Sequence, residues 1–490
     1  MKLNKIQILL FGLGMMFSTQ SCNKYLDTEP DNRTEINTVE KVAQLVTTAY
    51  PGRDYYHFSE SASDNAEDKG SGVGSLEEVI SRPYNWQDVI GDATGSTTSY
   101  WNSCYEAIAA ANQALEAIEK NNLGNAVLPY KGEALVARAY AHFMLVTFFS
   151  KVYVIGGTND SPGIPYVTAP ETKVLVQYER GTVKSTYEKI EKDLTEGMAL
   201  LSATAYQVPK FHFTPAAAHA FASRFYLFKG EWQKVINESS ATVSGGDFFN
   251  NLRPVNSTYR AAGTEDFKAM FTRSDQKATL LLAEQYSGWQ RQYTPRYGYG
   301  INLVMMFNPA ANFTGKPRAD KILSYGVPHY TTYKFNEYFH RTSPGADIGF
   351  PYLMAPLLTV DESLLNRAEA YTQLGQFDNA LRDMNIFLSI KISNYSASSD
   401  AATLTRISSF YSLSDPKQAL IKFILESKKA EFLQEGLRWL DIIRHGLTVK
   451  HNKYNAAGVE SFDELGPNDL RRVFQIPQEA LLSNIPLNPR

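Results

Sequence analysis

Apolar residues recur three and four positions apart from Tyr100 to Lys120, "YWNSCYEAIAAANQALEAIEK", where Trp101, Tyr105, Ile108, Asn112, Leu115 and Ile118 form one stripe. That is the α-helical period, and a single stripe implies a single buried face. The next segment, Lys131 to Phe149, is apolar nearly all round in "ARAYAHFMLVTFF", which predicts a helix enclosed by neighbours. The same period predicts helices over Val183 to Leu201, Pro215 to Lys229, Glu231 to Val243, Leu358 to Leu374, Phe377 to Ile390 and Pro416 to His445. Between Ser244 and Pro356 the period vanishes and Gly, Pro, Asn and Tyr become frequent. Such a long irregular stretch, with short strands at most, predicts a functional region rather than filler.

Two helix pairs share a turn pattern. Gly230, Trp232, Val235 and Ile236 parallel Gly375, Phe377, Ala380 and Leu381, and "AEAYTQLGQFDNALRDMNIFL" looks like a tetratricopeptide helix hairpin. Glycine permits the tight turn, and the aromatic two positions later fills space between stacked helices. The irregular spacing of the copies predicts a few helix pairs inside a larger body, not a regular solenoid.

The amino terminus has a different layout. Lys2 and Lys5 precede an apolar run from Ile6 to Phe17, broken by Gln7 and two glycines, and small or polar residues Ser18 to Ser21 follow. This is the plan of a signal peptide over residues 1–21. At ~1.5 Å per residue the run covers ~18 Å, short of the ~30 Å hydrocarbon core of a bilayer. Cys22 then stands at the cleavage junction, where its thiolate is available for acylation, and lipidation of Cys22 is expected. The other cysteine, Cys104, lies in a strongly helical segment and is expected to be a buried, inert thiol rather than a disulfide partner. Because one acyl chain binds membranes only reversibly, a stable anchor implies several acyl groups of the palmitate type.

Composition adds two constraints. With 43% hydrophobic and 20% charged residues and a net charge of −3, the chain is an ordinary globular one without the basic stripe of a nucleic-acid binder. Its 29 Tyr, 27 Phe and 5 Trp make 12% of the chain, so some aromatics are expected outside the core.

Four segments carry a resemblance. "CNKYLDTEP" at Cys22 to Pro30, "SDNAEDKG" at Ser63 to Gly70, "EFLQEGLRWLDIIRHG" at Glu431 to Gly446 and the tail from Val473, "VFQIPQEALLSNIPLNPR", together resemble the SusD/RagB family of outer-membrane nutrient-binding lipoproteins. In the third, the family's positions are Glu431, Phe432, Glu435, Gly436, Arg438, Trp439, Asp441 and Arg444. Upstream, Ser427, Lys428, Lys429 and Ala430 replace the acidic residue and arginines common in the family, a change expected to sit on a solvated helix face. The chain also ends Asn488, Pro489, Arg490 where the family more often has Asn-Pro-Gly. From spacing alone, Arg438 lies three residues from Glu435 and Asp441, and Asp441 three from Arg444, which predicts an ion-paired structural helix.

The resemblance implies a mostly α, SusD-like fold. Its scaffold would be four tetratricopeptide-like helix pairs, with a long irregular loop-rich ligand-binding region and few short strands. It implies an N-terminal region over 22–235 and a C-terminal region over 236–490. It further implies a non-enzymatic, lipid-anchored protein on the outer membrane of a Gram-negative bacterium, facing the exterior, that captures glycans, or in some relatives oligopeptides, for a SusC-like TonB-dependent transporter.

A sugar presents a flat C–H face and a rim of hydroxyls, so its receptor needs exposed aromatic platforms beside hydrogen-bonding groups. Trp289, Arg291, Tyr293, Tyr297 and Tyr299 interleave aromatics with Gln and Arg in the irregular region, Tyr330 and Tyr333 lie in the segment Tyr325 to Tyr338, and Trp86 sits in an early loop. These are the candidate ligand-binding residues; oligopeptide capture would lean on Arg and Asn instead. Asp64, Asn65, Glu67 and Asp68 offer oxygen ligands suited to a structural calcium, but without EF-hand spacing a solvated acidic loop is expected, and no other cofactor. His212 and His219 lack zinc spacing. No GxSxG or phosphate-cradling loop occurs. A glycoside hydrolase would need a paired acid and base among 51 Asp and Glu, and an adaptor would need no ligand at all.

Overall fold

The computed structural model describes residues 35–173 and 175–490. The signal-peptide run and Cys22 lie outside the described residues. Three short helices, α1 (Val39–Val46), α2 (Tyr56–Ala62) and α3 (Glu78–Tyr84), precede the long α4 (Thr97–Asn121) and α5 (Leu128–Phe149), against which α6 (Val183–Met198) packs. Then come α7 (Pro215–Lys229), α8 (Trp232–Ala241), α9 (Thr264–Phe271) and α10 (Ile301–Phe307). The C-terminal set is α11 (Val360–Gln373), α12 (Phe377–Lys391), the single turn α13 (Ala397–Asp400), α14 (Leu404–Tyr411), α15 (Pro416–Glu431) and α16 (Arg438–His445). The consecutive pairs α4/α5, α7/α8, α11/α12 and α14/α15 pack against each other in sequence, and α11 also touches α7, α8 and α15. The expected helical scaffold is therefore present, and the expected boundary at 235/236 falls inside α8.

Local chemistry sets the ends. Ser96 caps α4 by accepting from the Ser99 amide at 3.0 Å, so the helix begins at Thr97, three residues before the predicted start. Thr182 and Ser185 form a reciprocal capping box on α6. Gly230 and Gly375 close α7 and α11 at φ 72° and 74°. In both turns the following residue donates to a carbonyl five back, Glu231 to Tyr226 at 3.1 Å and Gln376 to Tyr371 at 2.8 Å. The matching geometry is the physical basis of the sequence parallel. Helix α5 is buried on every side from Gly132 to Phe149, as its composition predicts. Cys104 is a free thiol with no exposed surface, and burial pushes it well above the ordinary thiol range.

The irregular region is more ordered than its sequence suggests. The strands are β1 (Glu67–Asp68), β2 (Thr279–Tyr286), β3 (Tyr297–Gly298), β4 (Leu323–Ser324), β5 (Tyr330–Thr331), β6 (Glu337–Arg341), β7 (Gly349–Thr359), β8 (Val449–Tyr454) and β9 (Glu460–Leu465). β2, β7 and β6 form an antiparallel three-stranded sheet, in which β7 is central. β7 runs straight into α11, whose cap is Thr359, so Leu358 belongs to the strand and not to the predicted helix.

The predicted helix from Pro416 to His445 is in fact two, separated by a turn over Phe432 to Leu437. Gln434 and Gly436 both take φ 71°, and a Cβ on Gly436 would come within 2.6 Å of Ser59 and Tyr55. The break changes the charge pairing. Glu435 leaves the helical register of Arg438, which instead clasps Asp64 through two bonds of 2.8 and 2.9 Å. The Asp441–Arg444 pair does form, at 2.9 Å. Lys428 and Lys429 are not on a solvated face: Lys428 is buried beside Glu369 at 3.3 Å, and Lys429 reaches Asp64 at 2.9 Å. Nor is the acidic loop solvated. Asp68 receives Arg296 at 2.7 and 2.6 Å, and Glu67 accepts from the Asn302 amide at 2.7 Å. Asp64, Glu67 and Asp68 thus accept from protein donors, whereas Asn65 donates its amide to Glu60 at 2.9 Å and keeps a buried Oδ1 with no hydrogen-bond partner. Among the described residues no group of three or more His, Cys, Asp or Glu side chains is placed to hold a metal ion.

Behind this turn lies a buried charge network. Arg253 donates to both oxygens of Glu435 at 2.7 Å, and Lys334 donates to Glu435 at 2.8 Å. Lys391 bridges Asp361 at 2.7 Å and Glu431 at 2.8 Å, while Arg318 donates to Glu431 at 2.8 Å. Burial by itself would raise Glu431 and Glu435, but Lys391, Arg318 and Arg253 around the first, and Arg253 and Lys334 around the second, hold both below the usual carboxylate range. Burial wins at Asp361, which is raised. Because the two glutamates are depressed, their stabilising contribution is complete above the unfolded glutamate pKa of about 4.3 and is lost as pH falls below it. Glu431→Gln leaves Lys391 and Arg318 short of a partner, so urea unfolding at pH 7 should show a loss of about 3–5 kcal/mol. The difference between variant and parent should shrink on acidification below pH 4; an equal loss at pH 7 and pH 3 would contradict the network.

Candidate ligand-binding site

The aromatics singled out from sequence divide into walls and surface. Trp289 is 5% exposed; its indole N–H donates to the Gln434 carbonyl at 2.8 Å, and its ring lies 5.0 Å from His57 and 6.2 Å from Tyr299. Tyr299 is buried and donates to Glu60 at 3.0 Å. Trp86 is buried too, stacked 4.7 Å from His451 with its N–H on the Ala62 carbonyl at 3.0 Å. The expectation that these three are exposed platforms is corrected: each satisfies its polar atom inward and spends its rings on packing the loops down. Tyr297 is half-buried on Tyr84 at 4.4 Å, Tyr330 is half-buried in β5, and Arg291 is exposed and ion-paired to Glu337, with its Nε at 2.6 Å.

Tyr293 has a different setting. Its ring stacks on Tyr325 with centroids 3.9 Å apart, and Tyr333 completes the group at 6.2 Å from Tyr293 and 6.0 Å from Tyr325. Tyr325 is 42% exposed, and the other two are half-buried. Tyr325 opens the loop of the β4–β5 hairpin, whose tip carries the well-exposed Val327, and Tyr333 follows β5. Tyr333 sits at φ 53°, a conformation that costs about 1–3 kcal/mol for such a residue, and its amide is held by the Thr331 hydroxyl at 3.1 Å.

Two ammonium groups frame the rings. Lys268 of α9 lies 4.3 Å over Tyr333 and pairs with Glu265 at 2.6 Å. Lys69 donates to the Tyr293 carbonyl at 3.2 Å and to His329 Nδ1 at 2.8 Å, tying both tyrosine-bearing segments to the loop after β1. Burial lowers the Lys69 ammonium to about 8. Burial, and then the Lys69 charge, lower His329; burial, and then the bond to Tyr333, raise the Tyr325 hydroxyl.

The cluster is suspended from the turn between α15 and α16. Gln434 donates to the Thr331 hydroxyl at 2.6 Å and accepts from Thr332 at 2.7 Å, its carbonyl holds Trp289, and Lys334 reaches Glu435. Sequence reasoning did not connect these parts, because Gln434 and Lys334 carry no motif that names their partners 100 residues away. The outcome is a patch of partly exposed phenol rings held in place by two buried, protein-bonded lysines, Lys69 and Lys268, and such a patch suits the flat face of a hydroxylated ligand.

Comparison with known proteins fits this architecture. Residues 24–227 match a family model described as "Starch-binding associating with outer membrane", and residues 218–486 match the SusD family. The chain belongs to the SusD/RagB family. A SusD superfamily protein from Bacteroides thetaiotaomicron superposes with a TM-score of 0.64 at 18% identity, covering 92% of this chain and 100% of the other. A putative sugar binding protein from Bacteroides vulgatus gives 0.68 at 18%, covering 93% and 99%. A laminarin binding SusD-like protein gives 0.60 at 17%, covering 92% and 98%. SusD-like protein P2 of Formosa agariphila is 27% identical over 158 residues, 32% of this chain and 28% of that protein's length. No helix among the described residues is long and apolar enough to cross a membrane.

The division into walls and surface has a measurable consequence. Trp289→Ala should lower the unfolding free energy by about 3–5 kcal/mol, whereas Tyr325→Ala should cost less than about 1 kcal/mol, compared by urea denaturation. Similar losses in both would contradict the assignment.

Proposed function

We propose that this protein is a non-enzymatic, cell-surface glycan receptor that captures oligo- or polysaccharide and hands it to a SusC-like TonB-dependent transporter, held at the outer membrane by lipid on Cys22. The observation that carries the reading is the Tyr293, Tyr325 and Tyr333 cluster, partly exposed and rimmed by Lys69, Lys268 and His329 in a chain of the SusD/RagB family. The laminarin-binding relative of the same fold supports a glycan as ligand. The carboxylates beside the cluster speak against hydrolysis. Glu337 is ion-paired with Arg291 and Glu265 with Lys268, whereas a glycosidase acid needs a carboxyl held protonated near neutral pH. At Glu337, burial is outweighed by its bonds to Arg291 and Gln290, and the carboxyl is lowered.

The test is affinity electrophoresis of the detergent-solubilised full chain through gels containing starch, laminarin, xylan, mannan or pectin, followed by calorimetry with oligosaccharides. At least one polymer should retard the protein, and Tyr325→Ala should weaken oligosaccharide binding about two- to tenfold. Retardation by none, with binding to a peptide mixture instead, would replace glycan by oligopeptide. In the same preparations, Cys22→Ala should abolish acyl labelling and release the protein from membranes; retention of both would refute the anchor.

A further inference from the structure

A second aromatic surface lies on the other side of strand β6. Cross-strand partners share a face, and the registers place Tyr286 opposite Tyr352, Tyr352 opposite Tyr338, and His340 opposite Phe350. Tyr286 lies 5.5 Å from Tyr352 and 5.8 Å from Phe350. Tyr338 is 66% and Phe350 46% exposed. The alternate residues Leu353 and Ala355 are buried, so the sheet packs on the core with one face and turns this row of rings outward. The guanidinium of Arg53 lies 4.2 Å over Tyr286, and its Nη1 is buried without a hydrogen-bond partner.

The same face continues into a groove. Glu284 and Met354, opposite each other one step further along the strands, border a cavity of about 780 Å³ lined also by Thr47, Thr48, Gln207 and His212. At ~3.3 Å per residue along a strand and ~4.8 Å between strands, the rings alone cover ~7 Å along the strands and ~10 Å across them before the groove begins.

We propose that this sheet face and its groove form a second glycan site, which holds a stretch of polysaccharide against Tyr286, Tyr338, Phe350 and Tyr352 while the chain runs on into the groove. The inference rests on the reading of the protein as a glycan receptor. A glycan fits better than a protein partner because the exposed rings are mostly phenolic and the surface leads into a concave channel edged by hydroxyl, amide and carboxylate groups. Those groups match sugar hydroxyls, whereas the core of a protein interface is fully buried and depleted of charge. Glu337 and Tyr338 are neighbours on β6 and face opposite ways. Glu337 holds Arg291 two residues from Tyr293, so the two sites lie on either side of one strand. Two sites on one receptor raise the apparent affinity for a long polymer without changing that for a short ligand.

The experiment compares Tyr338→Ala/Phe350→Ala with Tyr325→Ala in the detergent-solubilised full chain, using starch, laminarin, xylan, mannan and pectin and their tri- and tetrasaccharides. Both substituted positions of the double variant are solvent-exposed, so its fold should persist. It should weaken retardation by the polymer about fivefold or more and leave short-oligosaccharide affinity within twofold, while Tyr325→Ala reduces both. Polymer binding that responds to Tyr325→Ala and ignores the double variant overturns the second site and leaves the receptor reading intact. Binding of no polymer overturns both. A concentration-dependent dimer in sedimentation velocity that the double variant abolishes would show that the face receives a second copy, and the glycan assignment would be wrong.

Discussion

The tyrosine cluster proposed to meet ligand hangs from two carboxylates held out of water. Glu431 ends helix α15 and Glu435 lies within the turn after it, and four cations, Arg253, Arg318, Lys334 and Lys391, converge on them from four separate segments. Isolated, any of these charges would cost several kcal/mol to bury. Together they lose little and leave each segment a single acceptable place. Such a network contributes modestly to net stability and strongly to register, because a shifted segment strands a charge.

From this clasp the site is built outward in short steps. Lys334 fixes the end of the hairpin that carries Tyr325 and Tyr333, Gln434 holds its base, and the Gln434 carbonyl positions Trp289, four residues before Tyr293. Lys69 then links the two segments from the other side. The helix pairs supply the rigid body beneath. The C-terminal tail closes onto it, where Phe474 packs on Phe58 and Trp439 and Asn488 donates to the carbonyls of Phe149 and Phe474. In these loops the indoles of Trp86 and Trp289 and the phenol of Tyr299 pack inward with their polar atoms bonded, while Tyr293, Tyr325 and Tyr333 stay partly at the surface.

The long helices were legible in the sequence because their signal is local: period, caps and the glycine turns at Gly230 and Gly375 all act within a few residues. The tyrosines at 293, 325 and 333 were legible as a composition, aromatic residues among polar ones in a region without period. Which aromatics face water was not, since Trp289 and Tyr293 sit in the same run and differ only in what long-range neighbours offer them. The break at Gly436 was hidden for a similar reason. "EFLQEGLRWL" reads as continuous helix until Tyr55 and Ser59 press against that glycine. The acidic segment at Asp64 to Asp68 looked solvated because its cations, Arg296, Lys429 and Arg438, lie more than 200 residues away in sequence.

The most direct test is hydrogen exchange on Lys334→Met, which removes one cation from the clasp while keeping its volume. If the clasp positions the site, amides from Leu323 to Phe335 should exchange faster, oligosaccharide affinity should fall, and α4 and α5 should stay as protected as in the parent. Unchanged exchange in the hairpin, or an equal loss of protection throughout the chain, would show that the buried charges serve global stability alone and do not set the ligand surface.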